Sequence, residues 1–254
     1  MSTPLAISVS PACAFRLLGP FSLTRDGAAA RPMWPKPTAL LAMLLVADGP
    51  VPLDRIVAEL WQGRAPSSAV ANIRSYIRLL RRELGADAVR TMLGCYELVL
   101  RDARLDADTF RELLERADRT TAAEERAALL KEALDLWRGP ALSGIPHGPV
   151  LESWVARMNG HRRRALLELA GLWLESGREA RAQDLLRQHL LGQPTDETAY
   201  ELLMRALHQA GDGSAALAVY QQANRHLVDR GLYPGPRLRG MQQAILSHRP
   251  LPAS

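Results

Sequence analysis

A mainly α protein with a small β component is predicted by three observations. Apolar residues recur at helical spacing over most of residues 105–246. Short apolar runs broken by Gly and Pro are confined to the first 104 residues, and a 34-residue repeat lies in the C-terminal half. A sheet, three helices and a β-hairpin make up a first domain over 15–104, and an all-α domain follows over 105–248. Residues 1–14 read as a disordered lead-in and 249–254 as a tail.

In chain order, 15–18 and 21–23 are strands separated by Gly19-Pro20, and Asp26-Gly27 marks the next turn. Pro35 and Pro37 precede an apolar helix over 38–47, closed by Asp48-Gly49-Pro50. Residues 53–61, LDRIVAELW, form a second helix with Leu53, Ile56, Val57, Leu60 and Trp61 on one side. It ends at 63–66, and Ser67 reads as the N-cap of a third helix over 67–84. At 100° per residue, Val70, Ile73, Ile77, Leu80 and Leu84 fall within about 80° of one another. Arg74, Arg78, Arg81 and Arg82 fill the adjoining sector of about 100°. Ser68, Asn72 and Ser75 lie further round, and Tyr76 sits at the edge of the apolar stripe as a core residue. Runs at 89–93 and 96–100 around Gly94 read as a β-hairpin. This order is that of a winged helix-turn-helix, with the third helix suited to a major groove and the hairpin as its wing.

From Leu105 the pattern is helical: 105–119, 122–138, a loop at 141–149, then 150–176 with a break near Gly160 left open. Leu169, Gly177, Ala182 and Leu186 recur 34 residues later as Leu203, Gly211, Ala216 and Tyr220. That is the tetratricopeptide (TPR) period, with Gly between paired helices and Ala where they cross closely. Pro234-Gly235-Pro236 punctuates the chain before a last helix at 238–246. The run HRRR at 161–164 reads as a solvated helix face, and Asp106 and Asp108 as helix-capping acids.

Hydrophobic residues make up 47% of the 254 and charged residues 23%, the proportions of a soluble globular protein. Residues 1–104 carry 13 Lys+Arg against 8 Asp+Glu, whereas 105–254 carry 19 against 19. The excess positive charge therefore lies where a polyanion would be met. Lys36 and Lys131 are the only lysines, an Arg enrichment that reflects a GC-rich genome, so position rather than abundance must identify a site. Cys13 and Cys95 form neither a metal motif nor a disulfide framework and suit a reducing cytosol. Residues 5–14 lack the basic start of a signal peptide, and no run is long enough to span a membrane, so a cytoplasmic location is expected. GxxxxGK[ST], GxSxG, GxGxxG and HExxH are absent, so no catalysis, cofactor or metal is expected.

The candidate ligand is double-stranded DNA. Arg74 and Arg78, one turn apart, are placed to reach base edges or flanking phosphates, and Asn72, Ser75 and Ser68 to add hydrogen bonds. Arg81 and Arg82, with Arg64 and Lys36, are candidates for phosphates. Two alternatives are a TPR-type scaffold whose winged helix binds protein, and a regulator gated by a ligand in its helical repeats.

FRLLGPFSL at 15–23, PKPTALLAMLL at 35–45, LDRIVAELW at 53–61, NIRSYIRLLRRELG at 72–85, LWRGPAL at 136–142 and GLYPGPRLRGMQQAIL at 231–246 occur in this order. In order and spacing they resemble the Streptomyces antibiotic regulatory protein (SARP) family, over nearly the whole chain. The resemblance implies an OmpR-type winged helix, the effector domain of two-component regulators, joined to a TPR-like bacterial transcriptional activation domain. It further implies binding to direct repeats near promoters of antibiotic and other secondary-metabolite genes, with a second copy alongside on DNA. It also implies recruitment of RNA polymerase holoenzyme, which the loop 62–66 would face. The family's helix entry resembles PKQRALLA, whereas here Pro37 and Thr38 stand at the polar pair. Lys36 is kept and a basic contact at 38 is lost. Its wing resembles RPPGYLL, whereas TMLGCYEL lacks the Pro pair and sets Glu97 where it would repel phosphate if it faced the duplex. Larger members carry an ATPase module, and this chain resembles the small ones.

Overall fold

The computed structural model describes residues 13–29, 33–99 and 103–247. Of the lead-in expected over 1–14, residues 1–12 lie outside the described residues, as do the tail over 249–254 and Leu100 of the second hairpin strand, whereas Cys13 and Ala14 belong to a strand. Two compact units interleave along the chain. One joins the described residues up to Glu112 with Asp135–Gly160, and the other joins Leu113–Leu134 with the described residues from His161 onward. The architecture is the mainly helical one expected, a winged helix-turn-helix followed by TPR-like helices.

In the first unit, β1 (Cys13–Arg16) pairs antiparallel with β2 (Ser22–Arg25), which pairs with β3 (Ala28–Ala29). β1 begins at Cys13, two residues before the strand expected at 15–18. On its other side β1 pairs in parallel with β7 (Arg104–Leu105), giving the order β3-β2-β1-β7. A second sheet has the order β4-β6-β5, from β4 (Val51–Pro52), β5 (Val89–Met92) and β6 (Cys95–Leu98). The helices of this unit are α1 (Pro35–Val46), α2 (Leu53–Trp61) and α3 (Ala69–Leu84), which contact one another and the second sheet. α1 starts at Pro35 rather than at 38, because proline is tolerated in the first turn, where the amide has no partner. Its residues from Pro37 to Leu44 are all buried, as in a helix that is apolar all round and lies at the centre of a core. On α2, Ile56 and Leu60 are buried, with Leu53, Val57 and Trp61 half-buried.

Two details of α3 depart from expectation. Ser67 is not its N-cap: the helix begins at Ala69 with Ser68 in the capping position, and Ser68 makes no side-chain cap bond. Its hydroxyl instead accepts from Asn72 Nδ2 at 3.3 Å. Val70 is 36% exposed, because the buried side of α3 runs through Ala69, Ile73, Ile77, Leu80 and Leu84 and leaves Val70 at its edge.

Residues 135–160 complete this unit. Arg138 and Leu142 amides donate to the Leu18 and Leu17 carbonyls, both at 2.8 Å. Asp106, expected as a capping acid, is engaged elsewhere. As the first residue of α4 (Asp106–Arg119) it accepts from the amides of Leu17 at 2.7 Å and Leu18 at 3.1 Å. Asp108 pairs with Arg111 one turn along the same helix. Glu59 of α2, 3% exposed, accepts from the amides of Gly148 (2.8 Å), Val150 (2.7 Å) and Leu151 (3.2 Å). These are amides at the start of α6 (Pro149–Glu175), where unpaired N–H groups and the helix dipole favour a carboxylate.

α6 runs 27 residues without the break left open near Gly160. A helical glycine costs only about 1 kcal/mol relative to alanine, too little to interrupt a long packed helix. In the second unit α5 (Ala123–Asp135), α7 (Glu179–Gly192), α8 (Glu197–Gln209), α9 (Gly213–Val228) and α10 (Pro236–Leu246) follow, with α7 on α8, α8 on α9 and α10 on both α8 and α9. The repeat positions Leu169, Leu203, Ala182, Ala216 and Leu186 are all buried, and Tyr220 is half-buried. In HRRR, Arg163 and Arg164 are exposed, as expected of a solvated face, but both have acidic partners. Arg163 grips Asp196 with two 2.6 Å hydrogen bonds, and Arg164 lies 3.6 Å from Asp118.

Candidate nucleic-acid interface

The amphipathic pattern of α3 buries one side and turns the other to solvent. Arg74 is exposed and makes no hydrogen bond or ion pair among the described residues. Arg78, one turn on, donates Nη2 to Ser75 Oγ at 2.8 Å, and Ser75 donates to the Ala71 carbonyl at 3.1 Å. Ser75 thus holds the Arg78 guanidinium over the outer face of the helix. Arg82 is 74% exposed and bonded at 3.1 Å to its neighbour Glu83, a pairing that solvent makes weak. These groups form one cationic face with small polar residues between them.

Arg81 has a different place. Its Nε and Nη2 donate to the Val89 carbonyl at 3.0 and 2.8 Å, and Nη2 also reaches Thr91 Oγ1 at 2.8 Å. The guanidinium fastens α3 to strand β5 of the wing. Arg81→Ala is expected to lower stability by about 1.5–3 kcal/mol, the usual range for hydrogen bonds made by a charged group, as thermal unfolding would read. Lys36 stands over the Trp61 ring, 4.4 Å from its centroid, in a cation–π contact. Arg64 is exposed in the α2–α3 connection, next to Gln62, whose αL backbone ends α2. Gln62 Nε2 donates to the His147 carbonyl at 2.6 Å, so the connection is tied to residues 147–151 at both Gln62 and Glu59.

The hairpin register sets Arg90 opposite Glu97, and their side chains pair at 3.4 Å. The carboxylate singled out in the wing therefore has a cation of its own, and Arg90, 59% exposed, joins the basic surface. Sequence reasoning passed over Arg90. A two-residue loop centred on Leu93-Gly94 makes 90 and 97 cross-strand partners, so the signal was present. Tyr76 is half-buried at the edge of the stripe.

Residues 105–246 match the family described as Bacterial transcriptional activator domain. The regulatory protein AfsR of Streptomyces coelicolor is 34% identical over 247 residues, covering 95% of this chain and 25% of that protein. The chain thus spans about a quarter of the AfsR proteins it matches, the Streptomyces griseus one included. The regulatory protein DnrI of Streptomyces peucetius is 31% identical over 250 residues, 92% of each chain. Among solved structures, Mycobacterium tuberculosis EmbR in complex with a low affinity phosphopeptide superposes with a TM-score of 0.81 at 29% identity, covering 95% of this chain and 67% of that one. With the activator-domain match covering more than half of its length and DnrI aligned nearly end to end, this chain belongs to the SARP family of transcriptional regulators.

Proposed function

We propose that this protein is a sequence-specific DNA-binding activator of transcription, with α3 in the major groove. Arg74 and Arg78 read base edges, and Asn72, Ser75 and Ser68 add hydrogen bonds. Arg82, Arg64, Lys36 and Arg90 hold phosphates, and Arg81 sets the wing against α3. Residues 15–104 carry the DNA contacts, and the activation domain over 105–248 recruits RNA polymerase holoenzyme. Two copies lie head to tail on a direct repeat upstream of a biosynthetic gene cluster, and the protein works in the cytoplasm, at the nucleoid. The observation that carries this reading is the α3 face on which Arg74 has no internal partner and Arg78 is held outward by Ser75.

Selection from a random DNA pool, followed by titration of the winner and a scrambled duplex at two salt concentrations, tests it. A short direct repeat should be enriched. An Arg fork on guanine discriminates by about 1–3 kcal/mol, so Arg74→Ala/Arg78→Ala should erase most of the preference for the selected site. Each phosphate contact removed should lower the salt slope by about one unit. Equal affinity for selected and scrambled DNA would defeat the reading and turn attention to protein partners of this face.

A further inference from the structure

The tip of the wing combines two costs that bring no gain within the chain. Met92 pairs with Cys95, leaving Leu93-Gly94 as a two-residue loop with φ of +36° and +82°. Positive φ at both positions is the mark of a type I′ turn, whose first place favours Asn, Asp or Gly. A leucine there brings its Cβ close to the following carbonyl oxygen and offers no local hydrogen bond in return. It is also fully exposed, at 107%, beside Met92 at 43%. An apolar side chain held in a disfavoured conformation, with nothing of its own chain to cover it, suggests a partner outside the chain.

The surroundings indicate which partner. Arg81 bonds the wing to α3 through Val89 and Thr91, and buried Tyr96 anchors the second strand. Arg90 lies on the strand leading to the tip. An apolar tip on a cationic stem, fastened to a helix with an arginine face, has the composition of the wedges that proteins insert between base steps from the minor groove. We propose that Leu93, backed by Met92, inserts into a base step of the minor groove flanking the α3 site and kinks the duplex there. Flexible pyrimidine–purine steps (TA, CA/TG) suit it, since they unstack most readily. The proposal rests on the DNA-binding reading above.

The test uses the full chain, the duplex selected by it, and end-to-end fluorescence transfer or circularly permuted fragments to measure bending. The wild type should bend the duplex by at least about 20°. Leu93→Asn places a residue suited to the turn, so its unfolding midpoint should equal or exceed that of the wild type. It should lose the bend and about tenfold in affinity while its salt slope stays unchanged, since no charge is removed. Leu93→Met should keep the bend. A straight wild-type duplex, or an equal bend with Leu93→Asn, overturns the wedge and leaves the DNA reading standing. Loss of selective DNA binding by the wild type overturns both. Unchanged binding and bending with transcription lost in Leu93→Asn would assign the tip to a protein partner and overturn the wedge as well.

Discussion

Gly148→Ala is expected to destabilise the first unit by about 3 kcal/mol, through a methyl group that has no room. A Cβ on Gly148 would lie 2.7 Å from the Glu59 Cα and 2.8 Å from its carboxyl carbon, and closer still to its carbonyl oxygen. Most of these are backbone atoms of α2 or atoms next to them, so no rotamer change relieves the overlap. Either α2 or the start of α6 must move, and the amides of Gly148, Val150 and Leu151 then separate from the Glu59 carboxylate. Overpacking costs about 1–3 kcal/mol, and a buried carboxylate stripped of its donors adds a comparable amount. At the usual scaling for a protein of this size the midpoint should fall by about 10 °C. Gly160→Ala is the control on the same helix. A Cβ there meets nothing within 4 Å, so that change should be neutral or slightly stabilising. Similar midpoints for the two variants would show that the contact at Glu59 is not tight. Because Glu59 and Gln62 lie in the last turn and cap of the helix that precedes the α2–α3 connection, Gly148→Ala should also weaken the DNA binding proposed above.

How much of this was legible depended on the range of the interaction. α3 could be read because its information is local: Ile73, Ile77, Leu80 and Leu84 repeat at helical spacing, and the arginines fill the remaining face. The 34-residue repeat was legible for a similar reason, since each copy carries its own Gly and Ala signals. β4 and β7 were not, because two residues show no periodicity and each pairs with a strand far along the chain. Glu59 was not legible either. Its role depends on amides about 90 positions away, and nothing in LDRIVAELW announces them. Val70 shows the converse limit. It fits the apolar stripe by angle, but its neighbour Ala69 takes the buried position, and a small alanine does not stand out in the pattern. In the candidate site, Arg74 and Arg78 were found by spacing alone, whereas the Arg81 bond to Val89 and Thr91 required knowing that the hairpin folds back on α3. Arg90 was legible in principle, since a two-residue turn at Leu93-Gly94 sets it across from Glu97.

Asp196→Ala should be the most damaging single change in the helical repeats, at about 3 kcal/mol. The carboxylate accepts two 2.6 Å hydrogen bonds from Arg163, faces His189 Nε2 at 2.8 Å and caps α8 through the Ala199 amide at 3.3 Å. Its side chain is 4% exposed, that of His189 10% and that of Arg163 47%. Breaking a buried pair costs about 3–5 kcal/mol, and the half-exposed Arg163 places this case at the lower end. Burial by itself would raise the Asp196 pKa, but the hydrogen bonds from His189 and Arg163 outweigh it and hold the carboxyl well below its ordinary 3.8. A carboxylate whose folded pKa is depressed contributes stability that is fully present above the unfolded value and is lost as pH falls toward the folded one. Asp196→Asn keeps the shape and one acceptor but cannot titrate. The stability gap between wild type and Asp196→Asn should therefore be full at about pH 5 and narrow steadily by about pH 3, as denaturant unfolding at each pH would show. A gap that stays constant over that range would mean that the ion pair contributes nothing beyond packing. The predicted outcome makes Arg163, the third residue of HRRR, an internal tie of the repeats.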